Sequence, residues 1–168
     1  MTGPRKPEDY LRQGRRDRLL RELEHDPYHL KFKFKEPTAC PECGAVFHEG
    51  RWTWMEEPPG DAHSHLCPAC QRIRDKVPAA FLTIKGEFFG AHRDEIMHLI
   101  RNYEERERQE HPLKRVMGMD EIEDGLEVTF TDAHLARGIG EALHDAYQGE
   151  LDYQYTKEDI MLRVRWER

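Results

Sequence analysis

The sequence predicts an α+β protein made of four consecutive segments, and three observations support that prediction. Four cysteines form two Cys-x-x-Cys pairs, apolar and polar residues alternate in four stretches near the C-terminus, and one amphipathic helix divides those stretches two and two. We expect a basic N-terminal arm (residues 1–35), a cysteine-bearing β-ribbon (36–76), a strand with a charged connecting helix (77–111), and a ββαββ unit (112–168). The last unit is predicted to be an antiparallel sheet with one covering helix.

The composition excludes several classes of protein. Hydrophobic residues make up 38% of the 168 residues and charged residues 35%, so a single large hydrophobic core is not expected. No apolar run approaches the roughly 18 residues that a transmembrane helix needs, and the N-terminus lacks the apolar stretch of a signal peptide. We therefore expect a cytoplasmic protein with reduced thiols. There is no phosphate-binding glycine loop and no nucleophile elbow.

The arm is basic although the whole chain is acidic. Residues 1–35 carry ten basic and six acidic side chains, a net charge of +4, whereas residues 36–168 carry a net charge of −11. A weak helical pattern of leucines is surrounded by arginines, and the run Lys31–Lys35 alternates lysine with phenylalanine. Arms of this kind often order on binding RNA, and a solvated tail is the alternative. The alternation directly before the cysteines favours a binding role.

The cysteines give the strongest signal. The motifs CPECG (residues 40–44) and CPAC (residues 67–70) have 23 residues between Cys43 and Cys67. Each motif offers two thiolates, and two such motifs complete a tetrahedral zinc site. A closed four-thiolate set has no open position for water or substrate, so one structural Zn²⁺ is predicted. The predicted ligands are Cys40, Cys43, Cys67 and Cys70.

Three alternatives to a structural zinc site remain open. The cysteines can be redox pairs or simply buried thiols, although no βαβ pattern surrounds either motif. A catalytic metal site would need an incomplete thiolate shell, in which His48, His63 or His65 faces an open position. The closed set does not need these histidines, so we expect no enzyme.

The residues between the cysteine motifs predict a β-hairpin that the metal pins. Val46 and Phe47 continue the first motif as a strand, Gly50 turns the chain, and Trp52 and Trp54 share one strand face. The two tryptophans can stack on bases or pack over the small metal core. Packing is favoured, because such a ribbon has few other apolar residues.

The segment after the second motif predicts a basic turn at residues 71–76, a strand at Phe81–Ile84 and a helix over residues 92–110. Ile96, Ile100 and Tyr103 belong to the apolar stripe of that helix. From residue 104 to residue 110 the helix is polar all round, which favours a solvated stalk.

The C-terminal unit has the clearest pattern. Strands are predicted at residues 113–122 and 126–131, with a hairpin turn at 123–125. Thr131 or Asp132 caps the helix that follows, and Gly149 occupies the position expected beyond its end. Strands predicted at residues 151–156 and 160–166 complete the ββαββ order of this unit. His134 and His144 point about 80° apart at ~3.6 residues per turn, so they are not expected to share a metal.

The chain resembles a family of small, largely uncharacterised bacterial zinc-ribbon proteins. The matching stretches run from Asp26–Tyr28 through Glu36–Val46, Gly50–Trp54 and Cys67–Ile73 to the C-terminal unit, where they are Glu110–Leu113, Thr131–Arg137 and Gly149–Asp152. A fainter similarity is to the zinc-ribbon export adaptor of the large ribosomal subunit in archaea and eukaryotes. It rests on the cysteine motifs and on the strand Phe81–Gly86 that precedes a helix. That adaptor has more Cys-x-x-Cys pairs and is far longer, so the similarity implies only association with ribosomes or structured RNA.

These observations predict a non-catalytic, ribosome- or RNA-associated zinc-ribbon protein. Translation, ribosome maturation and stress-linked ribosome binding are not distinguished by the sequence. The alternative is a protein-protein interaction adaptor, and neither a membrane nor a small-molecule substrate is expected as a partner. The predicted RNA-contacting residues are the arm cations and three ribbon cations: Arg12, Arg15, Arg16, Arg18, Arg21, Lys31, Lys33, Lys35, Arg51, Arg72 and Arg74.

Overall fold

A computed structural model of the chain describes Tyr28, residues 34–156 and residues 161–168. The predicted turn at residues 157–159 and most of the arm lie outside these residues. The fold class is confirmed, because a four-cysteine ribbon is followed by a second sheet and its helices. No helix in the described part of the chain is long and apolar enough to cross a membrane.

The ribbon (residues 36–76) contains a four-stranded sheet and a short helix. The strands are β1 (Thr38–Ala39), β2 (Val46–His48), β3 (Arg51–Thr53) and β4 (His63–Ser64), and the helix is α1 (Pro68–Asp75). The sheet order is β3-β2-β1-β4, in which β1 pairs antiparallel with β2 and parallel with β4. Glu49 and Gly50 form the predicted β2–β3 turn with φ of 52° and 77°.

The second sheet has five strands and forms, with its helices, the sheet unit (residues 80–156 and 161–168). Its strands are β5 (Ala80–Lys85), β6 (Val116–Ile122), β7 (Gly125–Phe130), β8 (Glu150–Thr156) and β9 (Met161–Glu167). The helices are α2 (Glu87–Ala91), α3 (Arg93–Glu110) and α4 (Ala133–Tyr147). The predicted ββαββ order is therefore present, in β6, β7, α4, β8 and β9.

Strand β5 extends this sheet beyond the four strands that the sequence predicts for residues 112–168. The order is β6-β7-β5-β9-β8, so β5 lies between the two hairpins and pairs parallel with β9. Ala80, Leu82 and Ile84 of β5 are fully buried, which is the pattern of a central strand with one face on the core. Without β5, the inner edges of both hairpins would have no pairing partner.

Helix α4 covers one face of the sheet. Asp132 caps its N-terminus, where the carboxylate accepts a 2.9 Å hydrogen bond from Leu135 N. Leu135, Ile139 and Leu143 are buried in one core with the inward residues of β5, β7 and β9. Trp166 is fully buried in the same core and donates its indole N–H to the carbonyl of Gln148 at 2.7 Å.

The C-terminal end of α3 is not the free stalk that its polarity indicates. The Glu104 carboxylate accepts a 2.8 Å hydrogen bond from Val116 N, and Glu107 pairs with Lys114 at 2.7 Å. The Arg108 carbonyl accepts a 2.7 Å hydrogen bond from the indole of Trp54 in the ribbon. The polar residues of this end therefore join α3 to the start of β6 and to the ribbon.

Candidate metal centre

The structure brings the four predicted ligands together. The sulfur atoms of Cys40, Cys43, Cys67 and Cys70 all lie within 4.8 Å of one another, and the Cys43 and Cys67 sulfurs are 3.8 Å apart. Tetrahedral coordination with metal–sulfur bonds of about 2.3 Å requires sulfur–sulfur distances of about 3.8 Å. Cys40, Cys67 and Cys70 are buried and Cys43 is partly exposed. The four residues therefore form a possible metal-binding site of the right size and chemistry.

The first cysteine motif positions its sulfurs through a tight turn. Gly44 N donates to Cys40 O at 3.0 Å, and Cys40 N donates to Ala45 O at 2.8 Å. Gly44 has φ +81°, the left-handed conformation that glycine adopts without strain. This turn places Ala45 N at 3.5 Å from the Cys43 sulfur, so a backbone dipole stabilises a thiolate there.

The second motif is the start of helix α1. Cys67 is the N-cap residue and its sulfur accepts a 3.3 Å hydrogen bond from Cys70 N, while Pro68 occupies the first turn. Both sulfurs therefore lie at the positive end of a helix, which offsets part of the cost of placing thiolates in a buried site.

Arg115 belongs to this centre although no sequence pattern pointed to it. Its side chain is only 5% exposed, with Nη1 at 3.2 Å from the Cys70 sulfur and Nη2 at 3.7 Å from the Cys67 sulfur. Its Nε donates to the carbonyl of Pro112 at 2.8 Å. A full positive charge thus lies against two of the four ligands. The nearby run Lys114-Arg115 is an ordinary basic pair in sequence, and only the fold shows which of the two is buried.

The sulfurs and Arg115 shift one another's pKa values. The hydrogen bond shared with Cys67 is the main cause that lowers the pKa of Cys43 to about 4. The same bond, with burial, raises the pKa of Cys67, and burial raises the pKa of Cys70. Burial opposes the charged form of Arg115, but hydrogen bonds to the sulfurs outweigh it, so the pKa of Arg115 is raised. The guanidinium is therefore charged at every physiological pH.

The histidines between the motifs are outside the metal cluster, whose members among the described residues are the four cysteines alone. His63 is exposed in β4, and His48 lies 3.7 Å from the carboxylate of Glu49. His65 approaches the carbonyl of Leu66 at 2.8 Å. None of the three is placed to complete a catalytic metal site with an open position.

Of the two tryptophans, Trp52 has the predicted packing role over the cysteine cluster and Trp54 does not. Trp52 packs against the cysteine cluster and meets Phe47 with ring centroids 5.6 Å apart. Phe34, the last phenylalanine of the arm, completes this aromatic cluster at 5.2 Å from Trp52 and 5.4 Å from Phe47. Trp54 instead contacts the end of α3, as described above.

The described arm residues are anchored on the ribbon. Besides Phe34 in the aromatic cluster, Tyr28 donates its hydroxyl to Asp75 of α1 at 2.8 Å. The Arg72 guanidinium lies over the Tyr28 ring at 4.4 Å. The sequence between Tyr28 and Phe34 contains Lys31 and Lys33.

The predicted RNA-contacting residues fall into three groups. Lys35 and Arg51 are exposed. Arg72 is 8% exposed and donates to the carbonyl of Val77 at 3.3 Å, and Arg74 pairs with Glu42 at 2.9 Å, so both side chains have partners within the protein. The remaining candidates lie outside the described residues: Arg12, Arg15, Arg16, Arg18, Arg21, Lys31 and Lys33.

Comparisons of the chain with protein-family models, with curated proteins and with solved structures found no match.

Proposed function

We propose that this protein is a non-catalytic zinc-ribbon protein of the cytoplasm that associates with the ribosome or with structured RNA through its N-terminal arm. The observation that carries this proposal is the attachment of the arm to the ribbon at Tyr28 and Phe34. The resemblance of the sequence to a ribosomal zinc-ribbon adaptor implies the same class of partner.

The metal is proposed to be zinc, held by Cys40, Cys43, Cys67 and Cys70. Four thiolates with tetrahedral spacing favour zinc among the abundant metals, and a reducing compartment keeps the thiols available. All four coordination positions belong to the protein, so the metal stabilises the ribbon and leaves no position for a substrate. The ribbon sheet consists of strands of two or three residues, which a small apolar core alone does not hold together.

The arm supplies the cationic surface. Lys31 and Lys33 lie in sequence between two residues that contact the ribbon, and Lys35 follows directly. The Glu36 carboxylate accepts a 2.7 Å hydrogen bond from Gly50 N in the β2–β3 turn. This bond brings the chain at Lys35 close to Arg51, the first residue of β3. Anchoring of this kind reduces the entropy lost when the cations bind phosphates. Arg72 and Arg74, whose side chains have partners within the protein, are not part of the proposed contact set.

The segregation of charge reconciles this role with an acidic chain. RNA affinity comes largely from cations that replace the counterions of phosphates. Residues 36–168 carry a net charge of −11, so an RNA approaching the sheet unit is repelled and one approaching the arm is attracted.

The test is sedimentation of the full chain with purified ribosomes over a series of salt concentrations. The variant Lys31→Glu/Lys33→Glu/Lys35→Glu should lose binding and lower the salt dependence by about two to three phosphate contacts. A matched control is Arg93→Glu/Arg101→Glu/Arg137→Glu, which reverses the charge of three exposed helical arginines. This control should bind ribosomes as well as the wild type does.

Two outcomes contradict the proposal. Equal losses in the two triple variants would show that only net charge matters. Absence of the wild-type chain from the ribosomal fraction at low salt, together with recovery of a discrete protein partner, would support the interaction-adaptor alternative instead.

A further inference from the structure

The ribbon and the sheet unit meet at the metal centre. Arg115 contributes the two sulfur contacts, Leu113 packs against the cysteine cluster, and Trp54 bonds to the end of α3. Within the described residues, no strand or helix of the ribbon packs extensively along an element of the sheet unit. The contact between the two parts is therefore small and includes a buried charge.

Arg115 is held from the side of the sheet unit. Its backbone N donates to Thr131 Oγ1 at 2.9 Å, its carbonyl accepts from Thr131 N at 3.0 Å, and its Nε is bound to Pro112 O. These bonds do not involve the ribbon. They fix the guanidinium so that its two terminal nitrogens face the sulfurs of Cys67 and Cys70.

The charge of the metal centre decides whether this position is favourable. Four thiolates and one Zn²⁺ carry a net charge of −2, which Arg115 reduces to −1. Without the ion, nothing joins the four sulfurs, so Cys67 and Cys70 no longer hold their sulfur atoms at a fixed position against the two terminal nitrogens of Arg115. A buried guanidinium that has lost its fixed acceptors is strongly unfavourable.

We propose that Arg115 makes the docking of the ribbon on the sheet unit depend on the bound zinc, so that the metal controls how the ribbon and its arm are held. This inference rests on the zinc site proposed above and not on the proposed RNA partner. Arg115 acts as a positioning residue, because it contacts the ligands and not the metal.

The test uses the full chain loaded with zinc and amide hydrogen exchange at three segments. Residues 107–116 report docking from the side of the sheet unit, residues 67–75 report the ribbon, and residues 126–130 in the buried strand β7 are the internal reference. Removal of zinc by a chelator should speed exchange at residues 107–116 at least about tenfold and leave residues 126–130 protected.

The variant Arg115→Met separates docking from metal binding. With zinc bound, it should keep residues 67–75 protected and show fast exchange at residues 107–116. Its zinc affinity should fall about 10- to 100-fold, which is the usual effect of losing an outer-sphere partner. Arg115→Lys keeps the charge without the forked geometry. Its zinc affinity and its exchange at residues 107–116 should lie between those of the wild type and those of Arg115→Met. The matched control is Arg101→Met on the exposed face of α3, which should behave as the wild type.

Each result decides the matter. Wild-type zinc affinity and wild-type protection at residues 107–116 in Arg115→Met would overturn the inference. Unchanged protection of residues 107–116 in the wild type after zinc removal would also overturn the inference. That result would leave the proposed zinc site intact. A wild-type chain that binds no zinc would refute the proposed metal site and this inference with it. If Arg115→Met does not fold, intermediate affinity and exchange in Arg115→Lys support the inference, and wild-type behaviour in that variant overturns it.

Discussion

Zinc binding should release at least two protons per metal ion near pH 7. The hydrogen bond with Cys43 and burial raise the pKa of Cys67 above its ordinary value of 9.0, and burial raises the pKa of Cys70 above the same value. Both residues are therefore thiols in the metal-free protein at neutral pH, and both must become thiolates to bind zinc. Cys43, with its pKa lowered to about 4, has already lost its proton.

The sign and the size of the pH dependence follow from these protons. Because the metal-free state binds more protons than the zinc-bound state, acid favours release of zinc and base favours its binding. With two protons per zinc, each unit of pH changes the affinity about 100-fold, which is about 2.7 kcal/mol. The affinity should therefore fall steeply as the pH is lowered through neutrality.

The assay is titration calorimetry of the metal-free chain in two buffers that differ in ionisation enthalpy. The slope of the measured enthalpy against the ionisation enthalpy counts the protons released. The variant His65→Ala is a suitable control, because His65 is outside the cluster and its loss should leave the count unchanged. A count below two, or an affinity that does not change with pH, would refute the assignment of Cys67 and Cys70 as protonated ligands.

Three further predictions concern the arm and the core. Phe34→Ala changes no charge but removes two ring contacts worth about 0.5–1.5 kcal/mol each, so ribosome binding should weaken by up to about 5- to 150-fold in the sedimentation assay. Phe34→Leu should retain most of the binding, and wild-type binding of the alanine variant would contradict anchoring. Asp132→Ala removes the cap hydrogen bond to Leu135 and should lower the free energy of unfolding by about 1 kcal/mol in urea melts, with most of it restored by Asp132→Asn. Gly138→Ala would place a methyl group 2.3 Å from the Tyr103 hydroxyl and should destabilise the fold by about 1–3 kcal/mol. Tyr103→Phe should recover part of that loss, and additivity of the two changes would argue against the clash.

Much of the fold follows from local sequence patterns. The strands predicted at residues 126–131 and 160–166 are observed at Gly125–Phe130 and Met161–Glu167, Asp132 is the cap among the two candidates, and the chain turns at Gly50 as predicted. In each case the residues that carry the sequence pattern lie within a few positions of the residues that form the strand, cap or turn. The same holds for the cysteine motifs, because a Cys-x-x-Cys turn fixes its own two sulfurs.

The placement of β5 needed the tertiary structure. Its short apolar pattern is equally suited to an edge or a central strand. The choice depends on which backbone edges the two C-terminal hairpins leave unpaired, and those edges are formed by residues 40 or more positions away. The polar end of α3 is a similar case, since the partners of Glu104, Glu107 and Arg108 come from β6, the loop before it and the ribbon.

The sequence alone determined the chemistry of the candidate metal site, because a sulfur ligand can be recognised from the residue type and the spacing of two turns. Only the tertiary structure decided which charge faces that site. Arg115 lies 45 residues from Cys70 in the chain, and nothing local distinguishes it from Lys114. The two neighbours differ in burial, because Arg115 is buried and Lys114 is partly exposed. The hydrogen bonds that Arg115 makes to Thr131 and Pro112 hold it inward, while Lys114 extends to the carboxylate of Glu107.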